Sequence, residues 1–177
     1  LQGGQAMIFI KYILIFFVFL IFLAIGNLYS KRFTNRVVEL EKMNNMLNIF
    51  KAKIKFSCST IEEIFTQIYE DNHDNIGAIF KRANTYMEES NSKEAWEKAV
   101  DKAELTTNLK KEDITAIKTL GKMLGNTDVE GQVSQIELTQ NVLQDQIKIA
   151  QEERKKNSKL YRTLGLASGL TMAIILM

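Results

Sequence analysis

The sequence predicts an all-α protein, a six-helix cytoplasmic bundle flanked by an N-terminal and a C-terminal transmembrane helix. Its 177 residues include no proline, so nothing of that kind interrupts a long helix. No charged residue occurs in YILIFFVFLIFLAI at residues 12–25 or in TLGLASGLTMAIILM at residues 163–177, whereas charged residues are frequent between them. No run of alternating β-branched residues favours strands. We therefore divide the chain into a first span at 7–29, a bundle at 30–162 and a second span at 163–177.

The first apolar run is strong enough to enter a bilayer. Twelve of its residues are Ile, Leu, Phe or Val, which together contribute roughly −5 kcal/mol to insertion. As a helix, residues 7–29 are long enough to cross a hydrocarbon layer of about 30 Å. A cleaved signal peptide is the alternative, because residues 24–26 (AIG) loosely resemble a cleavage site. Against it, the run exceeds a signal core of about 7–15 residues, and most nearby positive charges follow it. Residues 1–6 resemble a cloning remnant before Met7.

The C-terminal run is shorter and less apolar. Fifteen residues reach only about 22 Å as a helix, so a buried core helix is the alternative interpretation. A basic cluster precedes the run, and its long side chains can extend to the headgroups. Gly165 and Gly169 form a small-xxx-small pair, which packs two spans together either within one molecule or between the copies of a homo-oligomer. The cluster comprises Arg154, Lys155, Lys156, Lys159 and Arg162.

Positive charges beside the two runs predict the topology. Lys31, Arg32 and Arg36 follow the first run, and Lys159 and Arg162 precede the second. By the positive-inside rule the bundle lies in the cytoplasm, both termini lie outside, and these five residues lie at the membrane interface. Residues 57–130 carry 9 basic and 15 acidic residues. This acidic distal part is either a docking surface for a soluble partner or an ordinary solvated face.

Apolar spacing and capping residues predict six helices in the bundle. The first continues from the membrane to about Phe56. A capping box of Ser59 and Glu62 opens the second, Asp74 or Asn75 caps the third, and Ser92 caps the fourth. Their predicted core residues are Phe33, Val37, Leu40, Met43, Leu47, Phe50 and Ile54; Ile61, Ile64, Phe65 and Ile68; Ile76, Ile79, Phe80, Ala83 and Met87; and Trp96, Ala99, Val100 and Ala103.

The last two helices have clear boundaries in the sequence. Thr107 or Asn108 precedes the fifth helix, and Gly125 closes it. A second capping box, Thr127 with Glu130, opens the sixth, which has no glycine from 132 to 164 and can continue into the tail. The predicted core residues of these helices are Ile114, Ile117, Leu120 and Leu124, then Val129, Val133, Ile136, Leu143, Ile147 and Ala150.

The sequence predicts no catalytic, cofactor or metal site. Cys58 has no second cysteine to pair with and is interpreted as a buried apolar thiol, and His73 lies in the polar turn EDNHDN. The chain contains no Gly-rich phosphate loop, GxSxG or HExxH motif, and a membrane-bound hydrolase would need a constellation that these two residues do not supply. Nucleic-acid binding is not expected, because the basic residues gather beside the apolar runs without interleaved aromatic residues.

The stretch LGKMLGNTDVEGQ places Gly121 and Gly125 four residues apart, where a neighbouring helix can approach closely. Here the chain resembles the stage III sporulation protein AB family of spore-forming bacteria. The resemblance covers residues 7–177 in layout. It rests on Glu94, Ala95 and Trp96; Leu120, Gly121, Leu124, Gly125, Asp128, Gly131 and Gln132; and Lys156, Asn157, Lys159, Leu160, Tyr161, Arg162, Leu164 and Gly165.

The resemblance implies a function. Proteins of this family look like the F-type platform components of type II secretion and type IV pilus machines, whose cytoplasmic domains are six-helix bundles. It implies a non-enzymatic part of a channel complex in the mother-cell membrane around the forespore, with the stage III sporulation protein AA ATPase and other channel members as partners. Asp128 and Gln132 are the candidate partner contacts, and Trp96, Gly121 and Gly125 are the candidate helix-packing residues.

One departure and one alternative accompany the resemblance. Family members are expected to carry a proline near the start of the second helix, and residues 57–63 contain none, which puts a partner contact of that loop in doubt. The alternative is a membrane-tethered sensory or adaptor module. Such a module predicts a ligand-facing pocket and a downstream catalytic domain, neither of which is visible in the sequence.

Overall fold

The computed structural model describes residues 2–57, 59–122, 124–125 and 128–177, with side chains from Ile10 onward. Every regular element in this part of the chain is helical, which confirms the all-helical prediction. The elements are α1 (Gln2–Phe56), α2 (Ile61–Asp71), α3 (Gly77–Met87), α4 (Ser92–Ala103), α5 (Lys111–Lys118), a 3₁₀ turn (Thr119–Lys122) and α6 (Val129–Leu176). The chain forms two compact units, a terminal unit of the residues up to Thr34 together with Gln151–Met177, and a central unit of Asn35–Ala150.

The terminal unit exposes its apolar side chains. An 18-residue stretch near the start of α1 has a mean hydropathy of 2.5 and is only 11% buried, so α1 is a candidate membrane-spanning helix by length and composition. It is the one such helix among the described residues. The second span at 163–177 therefore stays a prediction, although α6 is helical to Leu176. Its shortness and its glycine, serine and threonine residues explain why its composition alone is insufficient.

Two glycines allow α1 and α6 to touch within the terminal unit. A Cβ atom on Gly26 would lie 2.8 Å from the Tyr161 carbonyl oxygen and 3.0 Å from the Gly165 Cα, which no side chain tolerates. Beside this contact the Tyr161 ring stacks on those of Tyr29 and Phe33, each with a centroid separation of 5.6 Å. Gly165 thus packs within one molecule, one of the two arrangements that its spacing allowed.

The central unit has a closed apolar core. Phe65 contacts Phe50 and Phe80 at ring-centroid distances of 5.2 Å, and Trp96 packs against Phe65 and Phe80 at 5.5 and 5.3 Å. All four rings are fully buried. Most predicted core residues of this unit are buried here or packed against the core. Val129 was predicted wrongly: it is 49% exposed, because it opens α6 one turn before the helix packs inward.

The capping residues of α2 and α4 differ by one position from those predicted. Thr60, not Ser59, caps α2 in a capping box with Glu63, with bonds of 3.2 and 3.0 Å between each side chain and the other residue's backbone N–H. Asn91, not Ser92, caps α4 by accepting from the Glu94 backbone N–H at 3.0 Å. Thr60 and Asn91 have the extended backbone that a cap requires, which the one-letter pattern does not locate to a single residue.

Asp74, one of the two predicted caps of α3, does bind backbone N–H groups at the start of this helix, although Ile76 is the residue directly before it. Asp74 Oδ1 accepts from the backbone N–H groups of Ile76 and Gly77, each at 2.9 Å. Thr107 and Asn108 precede α5, as predicted, and Lys110 is the residue directly before the helix. The Asp113 carboxylate accepts from the Lys110 backbone N–H at 2.8 Å.

Part of the chain after α5 is wound as a 3₁₀ turn and not as the α-helix that was predicted. The sequence favoured one helix up to Gly125, but α5 ends at Lys118 and continues as a 3₁₀ turn, a common way for a helix to end. Gly125 has a φ of 74°, which favours glycine and is typical of a residue that ends a helix. The predictions for Cys58 and Thr127 fall outside the described residues.

Candidate partner and membrane-interface surfaces

Asp128 lies immediately before α6 and caps it. Its Oδ1 atom accepts from the Gly131 backbone N–H at 2.9 Å, and its carbonyl oxygen accepts from the Gln132 backbone N–H at 3.1 Å. The side chain is nevertheless exposed. The carboxylate satisfies a free N–H group of the helix and places a negative charge at the positive end of its dipole. Asp128 therefore has a structural role whether or not it contacts a partner.

Gln132 lies one turn beyond Asp128 on α6 and is half-buried. Glu130, between them, is exposed. The two candidate contact residues are thus neighbours on one turn, with an additional carboxylate beside them. The assignment of Asp128 and Gln132 as partner contacts stays a prediction.

One side of α4 carries Trp96 and faces the chain after α5. Gly121 and Gly125 lie in that part of the chain, against α4. A Cβ on Gly121 would lie 2.9 Å from Trp96 Cδ1, and one on Gly125 would lie 3.2 Å from Ser92 Oγ. The Trp96 indole N–H donates to the Ile117 carbonyl oxygen at 2.9 Å. The glycines do not share one α-helical face as predicted, because Gly121 lies in the 3₁₀ turn, yet each lies against α4.

Arg36, which the sequence assigned to the membrane interface, has its side chain buried in the central unit and not exposed to lipid headgroups. Its side chain is 4% exposed and forms a two-pronged ion pair with Asp113, with Nε–Oδ2 and Nη2–Oδ1 distances of 2.8 and 2.9 Å. It also donates to Gln146 Oε1 at 3.2 Å. This pair connects α1, α5 and α6 within the central unit. Sequence counting missed it because a charge near an apolar run looks the same whether it points to lipid or to a carboxylate.

The other four predicted interface residues are exposed. Lys31 and Arg32 follow the apolar stretch of α1, and Lys159 and Arg162 precede the apolar end of α6. All four lie in the terminal unit. Exposed cations with long side chains beside exposed apolar helix surface are what a membrane border requires, but their contact with lipid stays a prediction.

A small polar pocket of about 220 Å³ in the central unit contains two carboxylates with shifted pKa values. Burial raises the pKa of Glu39, although the Asn108 side-chain and backbone N–H groups, which donate to it at 2.9 and 2.6 Å, oppose this. For Asp74, burial would also raise the pKa, but the Lys42 ammonium group at 2.5 Å and the capping N–H groups outweigh it and lower the pKa. The pKa values of the two carboxyl groups in this pocket are therefore shifted in opposite directions.

Sequence reasoning missed an apolar face on α6. Leu138, Val142 and Ile149 are about half exposed. Spacings of four and seven put them on one side of the helix, away from the buried positions Ile136 and Leu143. The signal was present in the sequence, because α6 carries a second apolar stripe besides the one that was assigned to the core.

The described residues provide no arrangement for metal chemistry. No group of three His, Cys, Asp or Glu in that part of the chain is placed to hold an ion. His73 is exposed in the turn before α3, with its ring 5.0 Å from the Tyr69 ring.

An all-helical central unit combined with a candidate membrane helix defines a class of helical membrane-associated proteins. Comparison of the chain with known proteins identifies its family within this class. The family model for stage III sporulation protein AB matches residues 11–177, so the chain belongs to that family, which confirms the resemblance and supports a sporulation-related role. Stage III sporulation protein AB of Bacillus subtilis (strain 168) is 25% identical over 150 residues, 84% of this chain and 88% of that protein.

A solved structure of stage III sporulation protein AB is also similar. It has a TM-score of 0.63 and 21% sequence identity, and the match covers 68% of this chain and 96% of the solved chain. At this identity the likeness shows the fold alone. The family model, in contrast, includes both the apolar stretch of α1 and the apolar end of α6.

Proposed function

We propose that this protein is a non-enzymatic membrane platform of a sporulation channel between mother cell and forespore, coupling a cytoplasmic ATPase to the membrane apparatus. The observation that carries the proposal is the continuity of α1 and α6. Each helix has residues in the terminal unit and in the central unit, without a described break. A helix is stiffer along its axis than a loop, so two continuous helices can pass a displacement between an anchor and a docking domain.

The anchor in this proposal consists of two membrane spans. The apolar stretch of α1 meets the length and composition requirements, and the end of α6 exposes Leu164, Leu166 and Leu170 in the same manner. Exposed large apolar side chains in such numbers are unfavourable in water. Basic residues beside both proposed spans support a cytoplasmic position of the central unit, and in this proposal the cytoplasm is that of the mother cell.

Topology is testable with the single-cysteine method. In a background with Cys58→Ser, the exposed turn residue His73 is replaced by Cys and labelled with a membrane-impermeant maleimide. In cells that form no forespore, where the reagent reaches the outer face of the membrane, the proposal expects labelling of this variant only after the membrane is opened, whereas the M177C variant is labelled in intact cells. Labelling of the H73C variant in intact cells would contradict the cytoplasmic placement, and protection of the M177C variant would contradict the second span.

The partner in this proposal is the stage III sporulation protein AA ATPase. It docks at the start of α6, where Asp128 offers an exposed carboxylate and Gln132 a half-buried amide. The acidic distal part of the central unit widens this surface. A contact to a charged group is worth more than one between neutral groups, so the Asp128 carboxylate is expected to dominate.

The test separates the capping role of Asp128 from a contact role. Asn is as good an N-cap as Asp, so Asp128→Asn removes the charge and retains the cap. The full-length chain in detergent micelles is titrated with the ATPase, and the D128N variant is expected to bind about tenfold more weakly. Glu152→Gln is the control, since it removes an equal charge from an exposed position of α6 outside the proposed surface and is expected to change binding little. Absence of wild-type binding at high micromolar concentration would refute the partner assignment.

A further inference from the structure

A basic cavity lies between α1 and α6 within the terminal unit. Its volume is about 490 Å³. One wall is Thr34 of α1, and the remainder comes from α6: Arg154, Lys155, Ser158, Lys159, Arg162 and Thr163. Ser158 Oγ lies 2.5 Å from Ser30 Oγ of α1, which fixes the two helices to each other at this level.

The cavity has positive charge without an internal counter-charge. Four of its seven lining residues are cations and none is acidic. In the described part of the chain no ion pair is recorded for Arg154, Lys155, Lys159 or Arg162, while other lysines and arginines, such as Arg36 and Lys118, pair with carboxylates. Four cations at one cavity repel each other, so an anion with several oxygen atoms would be bound favourably there.

The lining chemistry suits a phosphate group in particular. Arginine donates two parallel N–H bonds to phosphate oxygens, and lysine adds a point charge. The Thr34 and Thr163 hydroxyl groups can donate in addition. A single carboxylate would leave part of this donor set unused.

Neighbouring apolar surface favours a lipid as the source of that phosphate. Leu28 on α1 and Leu160 and Leu164 on α6 are each about half exposed or more. The stacked rings of Tyr29 and Tyr161 lie in the same unit, and tyrosine is enriched at the headgroup level of membranes. A ligand with a phosphate headgroup and acyl chains satisfies the cations and covers the leucines, whereas free phosphate satisfies only the cations.

We propose that this cavity is a binding site for the phosphate group of an anionic phospholipid at the inner face of the membrane. The proposal rests on the membrane placement of the terminal unit given above, but not on the ATPase partner. It differs from general attraction of basic residues to a negative surface, because it assigns the ligand to seven residues and not to every nearby cation.

Two matched pairs of variants distinguish a site from general attraction. Arg154→Gln with Lys159→Gln removes two cavity cations, and Lys31→Gln with Arg32→Gln removes two exposed cations that do not line it. Lys155→Gln and Lys156→Gln form the second pair, since these lysines are adjacent on α6 and only Lys155 lines the cavity. All of these are polar substitutions, and the Trp96 fluorescence of each variant checks that the central unit remains folded.

The experiment uses the full-length chain in a neutral detergent. It is titrated with phosphatidylglycerol, with phosphatidylcholine of the same acyl chains, or with inorganic phosphate, and bound ligand is counted by native mass spectrometry. We expect one phosphatidylglycerol per chain, bound at least tenfold more tightly than phosphatidylcholine. Each cavity cation removed should weaken binding about fivefold, so the R154Q/K159Q variant loses about 25-fold and K31Q/R32Q stays within about twofold.

Several outcomes would overturn the proposal. Equal losses in the two double variants, or in K155Q and K156Q, would show general attraction. Equal affinity for phosphatidylcholine would show that the site does not require an anionic headgroup. Inorganic phosphate bound as tightly as phosphatidylglycerol would show that the ligand need not be a lipid. The ATPase is absent from this titration, so a failure of the ATPase partnership leaves its result unchanged. A normal ATPase titration with no lipid selectivity would refute the lipid site alone.

Discussion

The central and terminal units bury apolar residues in opposite ways. In the central unit Phe50, Phe65, Phe80 and Trp96 are fully buried against one another. In the terminal unit large apolar residues point outward, and the described contact between α1 and α6 is made by glycines and stacked tyrosines. The central unit therefore gains its stability from the hydrophobic effect in water. The terminal unit gains little in that way, since its apolar surface needs a solvent other than water.

Polar interactions differ between the units too. The central unit contains a buried two-pronged ion pair between Arg36 and Asp113. The terminal unit instead has four basic side chains around a cavity that no acidic residue lines. A charge pair inside the core fixes how helices pack, while charges left at a border are available to lipid or another ligand. Mutations in the two units should consequently have different readouts.

The largest expected effect is loss of the buried ion pair. Asp113→Ala leaves the Arg36 guanidinium buried without its carboxylate and also removes the acceptor for the Lys110 N–H at the start of α5. Breaking a buried pair costs about 3–5 kcal/mol and loss of a cap about 1 kcal/mol. The free energy of unfolding is measured by denaturant titration of the full-length chain in micelles, followed by Trp96 fluorescence.

Asp101→Ala is the matched control for that measurement. Asp101 also pairs with a cation, Lys118, at 2.5 Å, but its side chain is 55% exposed. An exposed pair contributes at most about 1 kcal/mol. Similar losses in the D113A and D101A variants would mean that the Arg36 pair is not a core interaction.

A smaller effect is expected where α4 meets the 3₁₀ turn. Gly121→Val places methyl groups where a Cβ alone would already be 2.9 Å from Trp96 Cδ1. Overpacking of this kind costs about 1–3 kcal/mol. The same denaturant titration applies, and the exposed Ser134 provides the control, because Ser134→Val is expected to stay within about 0.5 kcal/mol. An unchanged G121V variant would show that the Trp96 ring can move away.

Much of the central unit was predictable because its helices are amphipathic. The apolar stripe from Val37 to Ile54 and the position of Trp96 in the core were assigned from spacing alone, and the structure buries these residues. Helix periodicity is a strong signal over several turns, whereas a cap depends on the backbone angles of one residue, which is why α2 and α4 begin one position away from the prediction.

The candidate surfaces were less predictable for a different reason. Arg36 and Arg32 are both basic residues after the apolar stretch, yet one is buried against Asp113, 77 positions away, and the other is exposed. Pairing over such a separation leaves no local pattern. Likewise, the basic cavity requires Thr34 and residues 154–163 to come together, which the charge cluster alone did not indicate.

Overpacking the contact between α1 and α6 in the terminal unit should separate the two helices there without unfolding the core of the central unit. With Cys58→Ser as background, Ser30→Cys and Ser158→Cys should form a disulfide under mild oxidation, because the two hydroxyl oxygens are 2.5 Å apart. Gly165→Val pushes α6 from α1, since a Cβ there would be 2.9 Å from the Phe22 carbonyl oxygen. If the substitution costs about 1 kcal/mol of packing between the helices, the yield of the disulfide should fall several-fold.

The control for cross-linking is a cysteine on the same helix that points away. Ser168 is exposed, so Ser30→Cys with Ser168→Cys should give little disulfide. Denaturant unfolding of the central unit, followed at Trp96, should not change in the G165V variant. A G165V variant that cross-links fully, or that unfolds the core, would contradict the contrast between the two units.

The smallest effect sharpens the comparison within the central unit, at the polar pocket. Burial raises the pKa of Glu39 above 4.5 in the folded chain, with opposing hydrogen bonds from Asn108. The folded state therefore binds a proton at Glu39 more readily than the unfolded state does. The free energy of unfolding rises as the pH falls towards 4.5, and this contribution of Glu39 is lost as the pH rises. The pKa of Asp74 is lowered from 3.8, so its stabilising contribution is lost only at more acidic pH.

Midpoints of thermal unfolding at about pH 7 and about pH 5 isolate the Glu39 contribution, since Asp74 is ionised in both states there. The E39Q variant has no carboxyl group to titrate at this position. Its unfolding midpoint should therefore rise less than that of the wild type when the pH is lowered from about 7 to about 5. The variant also loses one Asn108 hydrogen bond, so the comparison uses the change with pH and not the absolute midpoint. Glu62→Gln, an exposed position on α2, is the control and should follow the wild type. If E39Q and the wild type respond to pH identically, the Glu39 carboxylate is solvated as freely as an exposed one.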